Sequence, residues 1–171
     1  MNQAAQKLHA VFADIAATRM AGLPICNAAL RVEVVGWREW NGRHVAVLVT
    51  PWTINLMLLP GSETLAALPL DAKQTWIFPS GSYDFMGLND AALGVCHICP
   101  LVSPTLHIAT QEDAVSIAEQ IMEMLFVGEQ SDQLRDAERK ESREAARLNG
   151  EKISDIPLSR RDFLRGFLME S

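Results

Sequence analysis

Apolar residues first recur at helical spacing: Leu8, Val11, Phe12 and Ile15 fall on one face of MNQAAQKLHAVFADIAATRM. Gly22 and Pro24 lie beyond that helix and stop it. Between residues 30 and 109 the pattern changes to short runs rich in β-branched and aromatic residues: LRVEVVGW, HVAVLVT, INLMLL, TWIF, YDFMGL, LGVCHI and LHIA. Asn41-Gly42, between the first two, suits a type I′ hairpin turn, in which both central residues take positive φ. Connections this short cannot make the crossovers that parallel strands need, so a mainly antiparallel sheet is predicted. Helical spacing returns after Thr110, with Ile117, Ile121, Met124 and Leu125 as the apolar stripe. Thr110 and Asp113 stand as a variant of the capping box. The predicted fold class is α+β, an antiparallel sheet covered by an N-terminal and a C-terminal helix.

The pattern changes again at Gly128. SDQLRDAERKESREAARLNG favours helix, with Ser131 as N-cap and Asn149-Gly150 as stop. Its apolar residues are too few to bury a face, so residues 129–150 are predicted as a solvated, peripheral helix. EKISDIPL at 151–158 reads as a linker, because Pro157 opposes helix just ahead of Ser159. Three regions result: a core domain over 1–128, a charged helix over 129–150, and a linker with a tail over 151–171.

Charge sharpens that division. Residues 1–128 hold 11 acidic and 6 basic side chains, a net of −5, whereas residues 129–171 hold 10 and 9. An acidic body argues against nucleic acid and anionic membranes as partners and suits a basic peptide. No apolar run approaches the ~20 residues of a membrane span. The N-terminal segment carries Asp14 and lacks a basic leader, so it is expected to belong to the mature protein. Cys26, Cys96 and Cys99 are an odd number, which disfavours a secreted disulfide scaffold, and a cytoplasmic protein is expected.

Candidate chemistry is sparse. Cys96-His97-Ile98-Cys99 has the C-x-x-C spacing of zinc and redox sites. It lies in a predicted strand, however, where residues three apart point to opposite faces. A thiol redox or metal-carrier protein using Cys96 and Cys99 stands as the alternative function. No G-x-S-x-G elbow, diagnostic carboxylate pair or phosphate loop is present, so no catalytic residue, metal or cofactor is assigned. VTPWTINLMLLPGS, residues 49–62, is two apolar runs broken at Pro51 and Trp52. It reads either as a bent core strand or as a strand at a sheet edge, where a peptide docks.

V-T-P-W-x-x-N-L-x-L-L-P-G at 49–61, F-P-S-G-S-Y-D-F at 78–85 and C-P-L-V-S-P at 99–104 resemble, in this order, the HybE/HupJ/HoxT family of NiFe-hydrogenase assembly chaperones. The likeness spans roughly residues 5–128. It implies a cytoplasmic, cofactor-free, non-enzymatic chaperone. Its partner would be the small subunit of an exported hydrogenase and that subunit's twin-arginine leader, with the large subunit as a further candidate. Pro51, Trp52, Asn55, Leu56, Asp84 and Asp90 are then the candidate client-binding residues. Glu39, Glu112 and Asp113 are further carboxylates of the acidic body available to a client's arginines, and sequence does not choose among them.

The tail meets that expectation from the other side. Ser159, Arg160, Arg161, Phe163 and Leu164, followed by Arg165, match the twin-arginine export consensus, but at the wrong end of a chain and without its long apolar stretch. A copy of the client's own motif is expected to act as a pseudo-ligand for the leader site, in cis or in a neighbouring chain. The bland alternative is a solvated basic terminus.

Overall fold

The structure, a computed structural model, describes residues 2–128. The charged helix expected over 129–150 and the tail bearing Ser159, Arg160, Arg161, Phe163, Leu164 and Arg165 lie outside the described residues. Helix α1 (Gln3–Ala17) is followed by six strands and a second helix. The strands are β1 (Glu33–Trp40), β2 (Arg43–Val49), β3 (Ile54–Pro60), β4 (Lys73–Phe78), β5 (Gly81–Asp90) and β6 (Gly94–Val102), and the second helix is α2 (Gln111–Leu125). All pairings are antiparallel, in the order β1-β2-β3-β6-β5-β4. The α+β class therefore holds. Asn41 and Gly42 both take positive φ, 49° and 73°, as the first hairpin turn demands.

One expectation about strands fails, and one pair of alternatives is decided in favour of the core strand. LHIA forms no strand: the Asn27 side chain donates to the carbonyls of Thr105 and Ile108, both at 2.8 Å. Those carbonyls are satisfied in a loop rather than a ladder. Nor is β3 an edge strand. It lies between β2 and β6, because its six residues from Ile54 to Leu59 are all buried and only a central strand hides both faces. Asn55 and Leu56 are thus buried in the sheet.

The two faces of the sheet are finished differently. On one, Val45, Val47, Val49, Leu56, Leu58, Phe85 and Cys99 pack against Ala114, Ala118, Ile121, Met122 and Leu125 of α2. On this face Trp40 of β1 and Phe78 of β4 stack at 4.1 Å, although they stand on the two outermost strands. Trp40 also meets Trp76 edge-on at 6.2 Å. Side chains from opposite edges touch only if the sheet curls toward that face, so this face is concave and nearly closed. The end of α2 seals the seam: Ser80 N–H donates to the Leu125 carbonyl, and Arg38 lies over the Phe126 ring. Gly36, at the β1 bulge with φ +70°, lets the strand approach α2; a Cβ there would sit 2.5 Å from Met122 Cγ.

The convex face carries a smaller cluster, in which Leu8 and Phe12 of α1 pack on Val32, Leu48, Met57, Leu59 and Cys96. Asn2 caps α1 by accepting from the amides of Ala4 and Ala5. His9 Nε2 reaches the Val32 carbonyl at 3.1 Å and ties the helix to the entry of β1. Helix α1 covers the β1–β3 side of this face. On β4 and β5, Thr75, Ile77, Ser82, Asp84 and Met86 point the same way and are not covered by α1.

Candidate functional site

The T-P-W-T stretch closes the β2–β3 turn by its own hydrogen bonds. Thr50 Oγ1 donates to the Thr53 carbonyl at 2.7 Å and accepts from the Thr53 amide at 3.0 Å. The Pro51 carbonyl then receives two donors from elsewhere, the Asn27 amide at 2.7 Å and Thr105 Oγ1 at 2.6 Å. Asn27 joins the third loop through its bonds to Thr105 and Ile108. Three loops (18–32, 50–53 and 103–110) are thereby knitted into one rigid end. Ordered backbone lowers the entropy lost when a partner binds.

That end leaves large apolar side chains in water. Leu23 is 43 % exposed, Ile25 42 % and Leu106 54 %, while Pro51 and Trp52 are half-buried. Trp52 leans on the convex-face cluster, with Leu48 and Met57 among its members. From here the convex face continues across the strands. A row of side chains runs Ala46, Met57, Ile98, Met86, Lys73 from β2 to β4. Ile98 is half-buried, Met86 is 39 % exposed, and Ile77 at the margin is 74 % exposed. Nearer the loops, Asn55 pairs with Pro100, an exposed residue, and Asp84 lies on the next strand with Thr75 opposite. Strands are about 4.8 Å apart, so Asp84 stands roughly 10 Å from Asn55 across the sheet.

The candidate residues therefore divide. Pro51 and Trp52 lie in the β2–β3 turn, and Asp84 lies two strands across from Asn55 on the convex side. Asn55 supports that turn from beneath, its amide donating to Thr53 Oγ1 at 2.6 Å, while Leu56 belongs to the opposite, concave core. Asp84 accepts from Thr75 Oγ1 at 2.6 Å, which fixes one oxygen of a carboxylate at the surface. Asp90 lies at the other end of β5, where its Oδ1 caps a turn by accepting from the amides of Ala92 and Leu93. Glu112 and Asp113 are in the first turn of α2, away from this surface. Leu23, Ile25, Leu106, Ile77 and Met86 escaped the sequence reading; the signal available was apolar residues at loop positions and on the solvent side of a strand.

Cys96 and Cys99 sit in different clusters, one on each face, as strand alternation requires. Burial pushes both thiols up to about 11, with Asp90 adding to the effect at Cys96 and Asp84 at Cys99. Sulfurs on opposite faces of a strand do not converge, as a C-x-x-C redox couple or a shared metal site needs. Among the described residues no group of three or more His, Cys, Asp or Glu side chains is placed to hold a metal ion. His97, between the cysteines, is a packing residue. Trp76 Nε1–H donates to its Nδ1 at 3.0 Å, so the ring proton sits on Nε2, facing the Ala66 carbonyl at 2.8 Å. This bond holds the 61–72 loop over the concave face. No helix among the described residues is long and apolar enough to cross a membrane.

The fold and sequence have known relatives. The solution structure of HybE from Escherichia coli has the same fold, with a TM-score of 0.58 at 22 % identity over 72 % of this chain and 76 % of that one. The hydrogenase expression/formation protein HupJ of Bradyrhizobium diazoefficiens is 34 % identical over 159 residues, 93 % of this chain and 85 % of that protein. Protein HoxT of Cupriavidus necator is 31 % identical over 69 % of this chain and 73 % of its own length. A relative from Rhodobacter capsulatus bearing the name probable rubredoxin HupJ is 37 % identical over 71 % of this chain, but the match spans only 44 % of that longer protein. A family model described as NiFe-hydrogenase assembly chaperone HybE matches residues 3–166. The likeness thus extends past the span of roughly 5–128 expected from the motif blocks, and takes in Ser159 to Arg165. The chain belongs to the HybE family of NiFe-hydrogenase assembly chaperones.

Proposed function

We propose that this chaperone holds the small subunit of an exported NiFe-hydrogenase in the cytoplasm, gripping the subunit's twin-arginine leader at the Trp52 end of the convex face. The observation that carries the reading is the presence, on the convex side of the sheet, of the half-buried Trp52 beside a loop end that exposes Leu23, Ile25 and Leu106, with the surface carboxylate of Asp84 farther across the strands. A leader offers the complement, two arginines followed by Phe-Leu and an apolar stretch. Magnitudes assign the roles. An exposed Arg–carboxylate pair gives about 0.2–1 kcal/mol. Fully burying one Leu- or Phe-sized side chain gives about 1.5–3 kcal/mol. The apolar contact supplies most of the affinity, and Asp84 supplies register and discrimination. The work is binding rather than catalysis, and the chain's own Ser159–Arg165 segment is a copy of the ligand that occupies the site until a client arrives.

The test is fluorescence anisotropy of a labelled small-subunit leader peptide titrated with the full chain and with R160K/R161K. Lysine keeps the charge but loses the bidentate fork, so the variant tail competes less. Binding is expected in both, tighter in the double variant. A leader that binds neither form would overturn the reading.

A further inference from the structure

Helix α2 covers the concave face and α1 the β1–β3 side of the convex face, which leaves the convex side of β4 and β5 as an uncovered half-face. Along its convex side the pairs run Lys73–Met86 beside the half-buried Ile98, then Thr75–Asp84, then Ile77–Ser82 nearest the loops, so Asp84 stands between the apolar side chains of Met86 and Ile77. Three observations bear on what covers it. First, α2 ends against this very hairpin: the Leu125 carbonyl accepts from Ser80, three residues beyond Ile77 in the β4–β5 turn. Second, 30 residues, 129–158, separate that point from Ser159. Even wholly helical they would span about 45 Å, enough to turn around the β4 edge onto the convex side. Third, the chemistries match. Residues 1–128 carry a net −5 with Asp84 at the surface of the half-face, and the segment brings Arg160, Arg161 and Arg165 with Phe163 and Leu164.

We infer that Ser159–Arg165 of each chain docks in cis on the convex side of β4 and β5, with the arginines toward Asp84, Phe163 and Leu164 over the adjacent Met86 and Ile98, and Ile77 at the other flank of Asp84. This rests on the reading that the surface accepts Arg-Arg-x-Phe-Leu segments, and it adds place and regulation. The bound tail shields the exposed apolar half-face between clients, and the leader must displace it. A tether of this length gives an effective concentration on the order of mM. A tail with a Kd of about 0.1 mM would then occupy the site about nine-tenths of the time, yet weaken a client's apparent affinity only about tenfold. The device therefore excludes weak, non-specific apolar segments and yields to a tight one.

Paramagnetic relaxation enhancement tests the docking in the full chain. A spin label on C26S/S171C, whose other two thiols are buried and protonated, would be read against the methyl signals of Ile77, Met86 and Ile98, with Ile121 and Met122 as concave-face controls. Broadening of the first group, lost in R160E/R161E and restored in part by pairing it with Asp84→Lys, is the expected result. Broadening absent from, or equal on, both faces would overturn the docking. So would broadening only in a mixture of spin-labelled and isotope-labelled chains, which would place the tail on a neighbour. Leader binding, measured separately, distinguishes the two readings: a leader that binds while the tail leaves Met86 and Ile98 untouched refutes the docking and spares the chaperone function.

Discussion

Ile77 and Phe78 are neighbours in the same strand and meet opposite surroundings. Phe78 is 2 % exposed, stacked on Trp40 and touched by Phe85, Tyr83 and Phe126; Ile77 is 74 % exposed. The contrast repeats along the sheet. The concave face is finished, its edges drawn together by aromatic rings and sealed by a helix, whereas the convex face is covered on one side and left apolar on the other. Stability does not require the second condition, since a water-facing isoleucine contributes little to folding. With clients on the convex face as proposed above, folding and binding are divided between alternate residues of the same strands.

The comparison breaks most sharply at the seam. Phe78→Ala is expected to cost about 3–5 kcal/mol in denaturant unfolding, because a large core ring is lost and the edges part. Ile77→Ser, one residue away, should stay within about 0.5 kcal/mol. Next comes the approach of β1 to α2. Gly36→Ala forces a Cβ into Met122 at a positive φ, and the crowding is expected to cost about 1–3 kcal/mol by the same measurement. On the convex face the effect moves from stability to binding. Trp52→Ala should weaken leader binding about tenfold, about 1.4 kcal/mol, with Asp84→Asn costing less because its pair is solvated.

The smallest effect at neutral pH belongs to the thiols. Their folded values, near 11, lie above the unfolded value of 9.0, so folding favours the protonated form. Between about pH 9 and 11 the unfolded chain holds fewer protons than the folded one, and stability falls as pH rises through that window. Below about pH 8 these groups leave stability level. C96A/C99A should lessen the alkaline decline in urea midpoint and spare leader binding; loss of binding in a folded double variant would favour the thiol alternative.

Much of this architecture is legible in the chain and some is not, for reasons of range. Helix stripes, the Asn41-Gly42 turn, the antiparallel order and the opposed cysteines follow from local period and turn chemistry, and all appear. The curl is not legible, because it depends on Trp40 meeting Phe78 across the whole sheet. LHIA has the local pattern of a strand, and nothing nearby shows that Asn27, 78 residues from Thr105, takes its carbonyls. Of the candidate residues, all come from the motif blocks or nearby carboxylates, and the sequence does not show that Asp90 caps a turn or that Leu56 lies in the concave core. Leu23, Ile25 and Leu106 gain meaning only once Pro51 gathers the three loops.

The most direct test of the division between faces is hydroxyl-radical footprinting of R160E/R161E, whose tail no longer shields the convex face, with and without a hydrogenase small-subunit precursor. Protection of Trp52, Ile77 and Met86, with Met122 and Phe78 equally unreactive in both states, is the expected result. A stable complex in which Trp52, Ile77 and Met86 react as they do in the free chain would contradict it.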